Sequence, residues 1–160
     1  DESHVCTDGY VPYGWQFKDE HVYIPSEKTA RLNIFGMITK RNQYKGFTTQ
    51  ESINTDKLVD FLDRFSFEVE KKTVVVLDNA SVHRNRKIKE LRKIWEDRGL
   101  FLFYLPPYSP ELNPAETLWR ILKGKWIRPA DYNTKDSLFY CTNRALASVG
   151  TNLFVNYSYM

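Results

Sequence analysis

The chain has 160 residues, of which 42% are hydrophobic, 15% aromatic and 27% charged, with a formal net charge of +3. These values are typical of one folded domain with a sizeable core, and no apolar run approaches the roughly 20 residues that cross a bilayer. The two cysteines, Cys6 and Cys141, form no CxxC pair, which argues against a zinc site and indicates free thiols in a reducing compartment.

The first part of the chain, residues 1–49, has the pattern of an antiparallel β-meander. Polar or Gly/Pro turns separate its β-branched and aromatic segments, which lie at residues 4–6, 22–24, 32–38 and 44–48. A helix is predicted next, with Thr55 as its candidate N-cap. Its apolar stripe at helical spacing consists of Leu58, Phe61, Leu62 and Phe65.

The rest of the chain alternates strands and helices. An apolar strand is predicted at Thr73–Leu77, and both of its faces are expected to be covered. A second apolar strand is predicted at residues 100–105. Between them lies a helix with a basic outer face, which ends at Gly99. The apolar stripe of this helix consists of Ile88, Leu91, Ile94 and Trp95. Two later helices are predicted from the stripes Leu118, Leu122 and Trp126, and Leu138, Thr142, Ala145, Leu146 and Val149.

The order of these elements predicts an α/β fold with a mixed central sheet flanked by helices. A strand–helix–strand unit requires a parallel pairing with a right-handed crossover. Such sheets place functional groups at the carboxyl ends of their parallel strands.

Three acids are candidates for such a site. Asp78 directly follows the strand Thr73–Leu77, although Asp-Asn is also good turn chemistry. Glu116 stands at the third helical position after Asn113, where it suits either a capping box or a site facing the sheet. Asp1 and its neighbour Glu2 point to opposite faces if the chain is extended there, and a frayed terminus is the alternative.

Separate elements thus deliver carboxylates to one end of the sheet, which suits divalent-metal phosphoryl chemistry. Two ions about 3.5–4 Å apart can clamp the attacking and leaving oxygens of an in-line displacement. Oxygen ligands favour Mg²⁺ or Mn²⁺. His83 is a further candidate that could contact a phosphate or a water, unless it is simply a surface residue, and Trp119 is expected in the core.

Basic residues cluster in two places. One lies between Arg84 and Arg98, and the other consists of Arg120, Lys123, Lys125 and Arg128. Clustered cations can bind a phosphate backbone without reading its sequence, although a solvated helix face is the alternative. The candidate DNA-binding residues are Arg84, Arg86, Lys87, Lys123 and Lys125.

At this point the motifs become familiar. The strings DES, LDNASVH and LPPYSPELNPAETLW resemble the DDE transposases of the mariner superfamily, in its bacterial insertion-sequence branch. The proline-rich string is the most specific of the three, and the resemblance covers essentially the whole chain. It implies a ribonuclease-H-like fold across residues 1–160, with Asp1, Asp78 and Glu116 as catalytic metal ligands for two Mg²⁺ or Mn²⁺ ions. Glu2, Asn79, His83 and Asn113 are candidate accessory residues.

The resemblance also implies double-stranded DNA as substrate, both transposon ends and target, and a homodimer in the active complex. It implies a bacterial, cytoplasmic and nucleoid-associated protein with no membrane partner. The helix-turn-helix region of the family has no counterpart here, and the chain opens at the first acid, so weak or no transposition by this piece is expected. The alternatives are another ribonuclease-H-like nuclease, a non-catalytic DNA-binding remnant and a protein-interaction domain.

Overall fold

A computed structural model describes residues 1–7, 18–19, 29–107 and 109–157. In chain order its strands and α-helices are β1 (Glu2–Cys6), β2 (Arg31–Ile38), β3 (Tyr44–Thr49), α1 (Thr55–Phe67), β4 (Thr73–Leu77), α2 (Arg86–Asp97), β5 (Leu100–Tyr104), α3 (Pro114–Ile121) and α4 (Lys135–Ala147). The strand predicted at residues 22–24 lies outside the described residues. Within them, no helix is long and apolar enough to cross a membrane.

Four shorter helical segments connect these elements. Three are 3₁₀ turns at Ser81–Arg84, Pro110–Leu112 and Pro129–Asn133. The fourth is a π-helical turn, Leu122–Trp126, which continues α3 directly. The turn Ser81–Arg84 matters most for the site, because it follows β4 immediately and carries His83.

The strands of the described residues form two sheets. β1, β2 and β3 pair antiparallel in that order, which confirms the predicted meander, and β4 pairs with β5 in parallel, which confirms the predicted strand–helix–strand unit. The α/β fold class is therefore confirmed. The prediction was one mixed sheet, however, whereas in the described part of the chain β1–β3 and β4–β5 form two separate sheets. Side chains join the two sheets, because Phe35 of β2 belongs to the same core cluster as Val75 and Leu77 of β4.

The core lies on both faces of β2, because alternate side chains of a strand point to opposite sides. Leu32 and Ile34 pack in a cluster with α3 and α4. Phe35 packs with α1, α2, β4 and β5 on the other face. Each buried aliphatic or aromatic side chain contributes about 1.5–3 kcal/mol by leaving water. Strand β2 is therefore packed between α3 and α4 on one face and α1 and α2 on the other.

The predicted cover on both faces of β4 is wrong. Val74 and Val76 are 59% and 46% exposed, and so is 58% of Phe103 on the neighbouring strand. Val75 and Leu77 are buried, so β4 alternates between a covered and an open face. A continuous apolar run indicates burial but cannot tell which of its faces will find a partner.

Two finer predictions at helix α1 and helix α2 are also corrected. The N-cap of α1 is Asn54, whose side chain accepts the Lys57 amide at 3.0 Å, and Thr55 is the first helical residue. Ile94 lies at the edge of the α2 stripe and is 44% exposed. Gly99 does end α2, with a φ of 93° that favours glycine.

Candidate active site

Asp78 stands at the carboxyl end of β4 and is held from one side only. Its Oδ1 accepts the Ala80 amide at 2.9 Å and lies 2.6 Å from Nδ1 of His83. The turn expected from Asp-Asn chemistry is therefore formed. Among the described residues, Oδ2 of Asp78 receives no such donor, and the side chain is 43% exposed. The turn and an outward-facing carboxylate oxygen coexist in this residue.

Helix α3 presents the second acid. The side chain of Asn113 caps the helix by accepting the Ala115 amide at 3.1 Å, and Pro114 follows at the first helical position. Glu116 lies in the first turn and is exposed. Within the described residues, Glu116 does not form the capping-box bond to the Asn113 amide. Its carboxylate is therefore not committed to the cap.

Asp78 and Glu116 line one cleft of about 390 Å³. The loop after β5 forms the opposite wall, and the other lining residues are Asn79, Ala80, Leu105, Pro106, Pro107, Ser109 and Asn113. Asn79 donates its side-chain amide to the Leu105 carbonyl, which ties the end of β4 to this loop. The Asn79 Oδ1 atom is buried and has no hydrogen-bond partner among the described residues. Two carboxylates thus line the cleft, and the unpaired amide oxygen of the lining residue Asn79 is buried.

Asp1 approaches this region from β1 but does not line the cleft. Its Oδ2 accepts the indole N–H of Trp119 at 2.9 Å, and its main chain pairs with Gly36 of β2. Burial lowers the pKa of the Asp1 amino group, while Glu2, Asp78 and Glu116 act in the opposite direction through their charges. The three predicted ligands therefore share one electrostatic neighbourhood, with Asp1 seated deeper than the other two.

His83 is fully buried, and the surface alternative is wrong for it. Its Nε2 lies 2.7 Å from Oε1 of Glu2, and its Nδ1 lies 2.6 Å from Oδ1 of Asp78. Burial disfavours the charged imidazolium, but the hydrogen bond and charge of Glu2, with the charge of Asp78, outweigh burial and raise the pKa of His83. Nδ1 also lies 3.3 Å from the main-chain carbonyl oxygen of Asp78, so the imidazolium, which has two N–H groups, can donate from both nitrogens.

The donor set of the cleft fits a hard divalent cation in its chemistry, because Asp78, Glu116 and the unpaired oxygen of Asn79 all supply oxygen. In the ranges that the structure describes, no three His, Cys, Asp or Glu side chains lie close enough together to hold one ion. The cleft itself therefore offers two carboxylates, and Asp1 stands apart on its Trp119 hydrogen bond.

The predicted basic residues differ in how far their charge is neutralised. Arg86 pairs with Glu90 at 2.7 Å and Lys87 with Asp56 at 2.5 Å, both on the surface. Arg84 lies over the Tyr104 ring, and Lys123 donates to the Ser3 hydroxyl at 3.1 Å. Among the described residues, Arg84, Lys123 and Lys125 form no ion pair. These three are therefore the predicted DNA-binding residues whose charge is not paired with an acid, and two of them lie on the π-helical turn after α3.

Comparison with known proteins gives the class and then the family. The profile of the DDE superfamily endonuclease matches residues 1–139. A relative in Sinorhizobium fredii, the uncharacterized protein y4pE/y4sA, is 27% identical over 107 residues, which are 66% of this chain and 75% of the relative. The α/β architecture agrees with the ribonuclease-H-like fold of such enzymes. The chain belongs to the DDE superfamily endonuclease family, a family of nucleases.

Two contacts of the site were not predicted from the sequence. The bond from Trp119 to Asp1 was missed because a helical apolar stripe indicates only burial, although a buried indole N–H usually needs an acceptor. The bond between Glu2 and His83 joins residues 81 positions apart in sequence. The one available sequence signal for these two contacts was the alternation of side chains along a strand, which sends Asp1 and Glu2 to opposite faces.

Proposed function

We propose that this chain is the catalytic domain of a DNA transposase of the mariner superfamily, in its bacterial insertion-sequence branch. The observation that carries the proposal is the cleft in which Asp78 and Glu116 meet, with the DDE superfamily endonuclease profile across it. The substrate is double-stranded DNA, at transposon ends and at the target. Hydrolysis at an end frees a DNA 3′-hydroxyl, which then attacks a phosphodiester of the target.

Asp1, Asp78 and Glu116 are the proposed catalytic residues and ligands of two Mg²⁺ or Mn²⁺ ions. When bound, such ions stabilise charge on the attacking and leaving oxygens. The protein orients its own ligands by fixed donors. Oδ1 of Asp78 accepts the Ala80 amide and lies beside the His83 ring, and Oδ2 of Asp1 accepts the indole N–H of Trp119. The unpaired oxygen of Asn79 is a further acceptor at the same cleft.

DNA binding is assigned to the cations around the cleft. Arg84 follows His83 directly, and Lys123 and Lys125 lie on the turn that continues α3, so these residues lie on elements adjoining the two cleft carboxylates. Arg86 and Lys87 can join them, because exposed ion pairs contribute only about 0–1 kcal/mol and open readily for a phosphate. Two transposon ends must be brought together, which is why we propose a homodimer acting on the bacterial nucleoid.

Calorimetric titration of Mn²⁺ tests the metal site. We expect saturable binding to the parent chain and its loss in both Asp78→Asn and Glu116→Gln. Glu111→Gln is the matched control, because Glu111 is an exposed acid in the turn before α3 that does not line the cleft. Equal binding by the parent, Asp78→Asn and Glu116→Gln would contradict the proposal.

A non-catalytic DNA-binding remnant is the second candidate. The observation in its favour is that the described residues bring no three metal-binding side chains together. Such a remnant should bind DNA with the same affinity in Mn²⁺ and in a chelator, and should not cut it. Metal-dependent nicking of a supercoiled plasmid, lost in Asp78→Asn, would exclude it.

A further inference from the structure

We propose that His83 is a positioning residue for Asp78. Its imidazole lies between the carboxylates of Glu2 and Asp78, which stand at the ends of strands in different sheets, and it fixes the orientation of the Asp78 carboxylate. This inference rests on the proposed function, because it assigns a role to a neighbour of a proposed metal ligand. The imidazole joins two strands that share no ladder, since Glu2 opens β1 and Asp78 follows β4. Its two ring nitrogens lie 2.7 and 2.6 Å from the two carboxylates.

The burial of the imidazole makes this arrangement specific. The side chain of His83 has no exposed surface, whereas those of Glu2 and Asp78 are 25% and 43% exposed. Its ring and that of Phe35 form a T-shaped pair, with 6.5 Å between ring centroids, and Phe35 belongs to the core cluster beside β4. A buried polar ring needs partners for both nitrogens: Nε2 contacts the Glu2 carboxylate, and Nδ1 lies against both the main-chain carbonyl and the carboxylate of Asp78. A direct contact between the imidazole and a DNA phosphate is not open in this geometry.

The turn that carries His83 is itself fixed. The His83 amide donates to the Ala80 carbonyl at 3.0 Å, and the Tyr104 hydroxyl donates to the His83 carbonyl at 2.8 Å. With its main chain held on both sides, the imidazole has one position from which to hold Oδ1 of Asp78. The Ala80 amide binds the same oxygen. The Ala80 hydrogen bond and the close charge contact with His83 both fall on Oδ1, which limits rotation of the carboxylate and leaves Oδ2 as the oxygen available to a cation.

Glu2 completes the arrangement by holding the far side of the ring. Neighbours that orient a ligand in this way are typically worth about 10- to 100-fold in metal affinity. The two acids at the start of β1 therefore contact different elements. Asp1 accepts a hydrogen bond from Trp119 on α3, and Glu2 contacts His83 in the turn after β4. The start of β1 thus contacts both elements that carry the cleft carboxylates.

Mn²⁺ calorimetry on the whole chain, combined with thermal unfolding, tests this role. His83→Phe keeps an aromatic ring in the core but removes both nitrogens, and we expect the Mn²⁺ dissociation constant to rise about 10-fold or more. Trp95→Phe is the matched control, since it removes a buried ring nitrogen from the same core cluster and leaves the imidazole contacts in place. We expect Trp95→Phe to bind Mn²⁺ as the parent does.

Glu2→Gln provides a second route, because Glu2 is partly exposed and its replacement does not depend on tolerance in the core. We expect weaker Mn²⁺ binding in Glu2→Gln and no further weakening when Glu2→Gln is added to His83→Phe, because the two residues act through one chain of contacts. Additive losses, or parent-like binding by Glu2→Gln, would overturn the inference.

The outcomes also separate this inference from the proposed function. If the parent binds Mn²⁺, Asp78→Asn does not, and a folded His83→Phe binds as the parent does, the positioning role is wrong and the metal site stands. If the parent binds no Mn²⁺ at all, the proposed function fails, and this inference fails with it.

Discussion

The indole N–H of Trp119 donates to the buried carboxylate of Asp1 at 2.9 Å. Trp119 lies three residues after Glu116 on α3, so one helix both presents the cleft acid and holds the acid of β1. Residues three apart on a helix lie on neighbouring positions of one face. Helix α3 therefore carries Glu116 at the cleft and also fixes the orientation of Asp1, which does not line the cleft.

Trp119→Phe should weaken both the fold and the metal site. The substitution keeps most of the buried apolar surface but leaves the Asp1 carboxylate without its donor, which costs about 1–3 kcal/mol for a buried partner. Because Asp1 then loses its fixed orientation, Mn²⁺ affinity should fall as well. Urea unfolding and Mn²⁺ calorimetry on the same sample measure the two effects.

The chain offers a matched control at Trp95, whose indole N–H donates to Asp63 at 3.0 Å, away from the cleft. Trp95→Phe removes the same kind of hydrogen bond from an equally buried tryptophan. It should lower the free energy of unfolding without changing Mn²⁺ affinity. A parallel fall of Mn²⁺ affinity in both variants would show that the Trp119 effect is only a loss of stability.

Gly36 is required where β2 passes beneath Trp119. A Cβ at this position would lie 2.6 Å from Cη2 of Trp119 and 2.7 Å from Cε2 of Tyr44, closer than real contacts allow. Gly36→Ala should therefore destabilise the fold by about 1–3 kcal/mol through overpacking. Differential scanning calorimetry should show a lower Tm.

Gly124→Ala is the control for the loss of a glycine. A Cβ at Gly124 would meet nothing within 4 Å, and the residue lies in the π-helical turn after α3. Alanine is the better helix former by roughly 1 kcal/mol, so the Tm should hold or rise. A Gly36→Ala protein as stable as the parent would mean that Trp119 can shift without cost.

Much of the fold was predictable because local patterns set it. The strand Thr73–Leu77 has its predicted bounds, and Asn113 and Gly99 mark the ends of helices as their chemistry dictates. The open face of β4 was not predictable, because Val74 and Val76 are chemically the same as buried Val75. Only the arrangement of the helices decides which of these valines is covered.

The positions of the two acids that line the cleft were predictable, but the contacts that support them were not. The strand end gives Asp78 and the helix start gives Glu116, each from its own local sequence. His83 is buried between Glu2 and Asp78, which stand at the ends of strands in two different sheets. No local sequence pattern of the turn predicts that arrangement. The unpaired oxygen of Asn79 is likewise a property of the assembled loop.

Asp63 should make stability depend on pH in the acid range. The hydrogen bond from Trp95, together with the hydrogen bond and charge of Arg98, holds the pKa of Asp63 below its ordinary value, against the opposing effect of burial. A carboxyl whose pKa is lowered in the folded state contributes stability above its unfolded pKa of about 3.9, and this contribution is lost as the pH falls through the lower folded value.

Asp63→Asn should therefore destabilise the protein at pH 7 and lose its effect below the folded pKa. The Asp63 side chain is 39% exposed, so solvent screening limits the charge contribution to about 1 kcal/mol or less. Urea unfolding from pH 7 down to the acid limit of the fold measures the difference. Asp60→Asn, in an exposed pair with Arg64, should change little at any pH, and an equal pH profile in both variants would contradict the prediction.

The unpaired cations should carry the salt dependence of DNA binding. Each phosphate contact adds about 0.9 to the slope of log K against log salt concentration, through release of counterions. Arg84→Ala and Lys123→Ala should each lower that slope by about one contact, measured by fluorescence anisotropy with a short duplex. Lys93→Ala is the control, because Lys93 lies about two helical turns beyond the start of α2 and is not among the proposed DNA-binding residues, so the slope should be unchanged. A slope that falls for Lys93→Ala but not for Lys123→Ala would place the DNA on the outer face of α2 instead of beside the cleft.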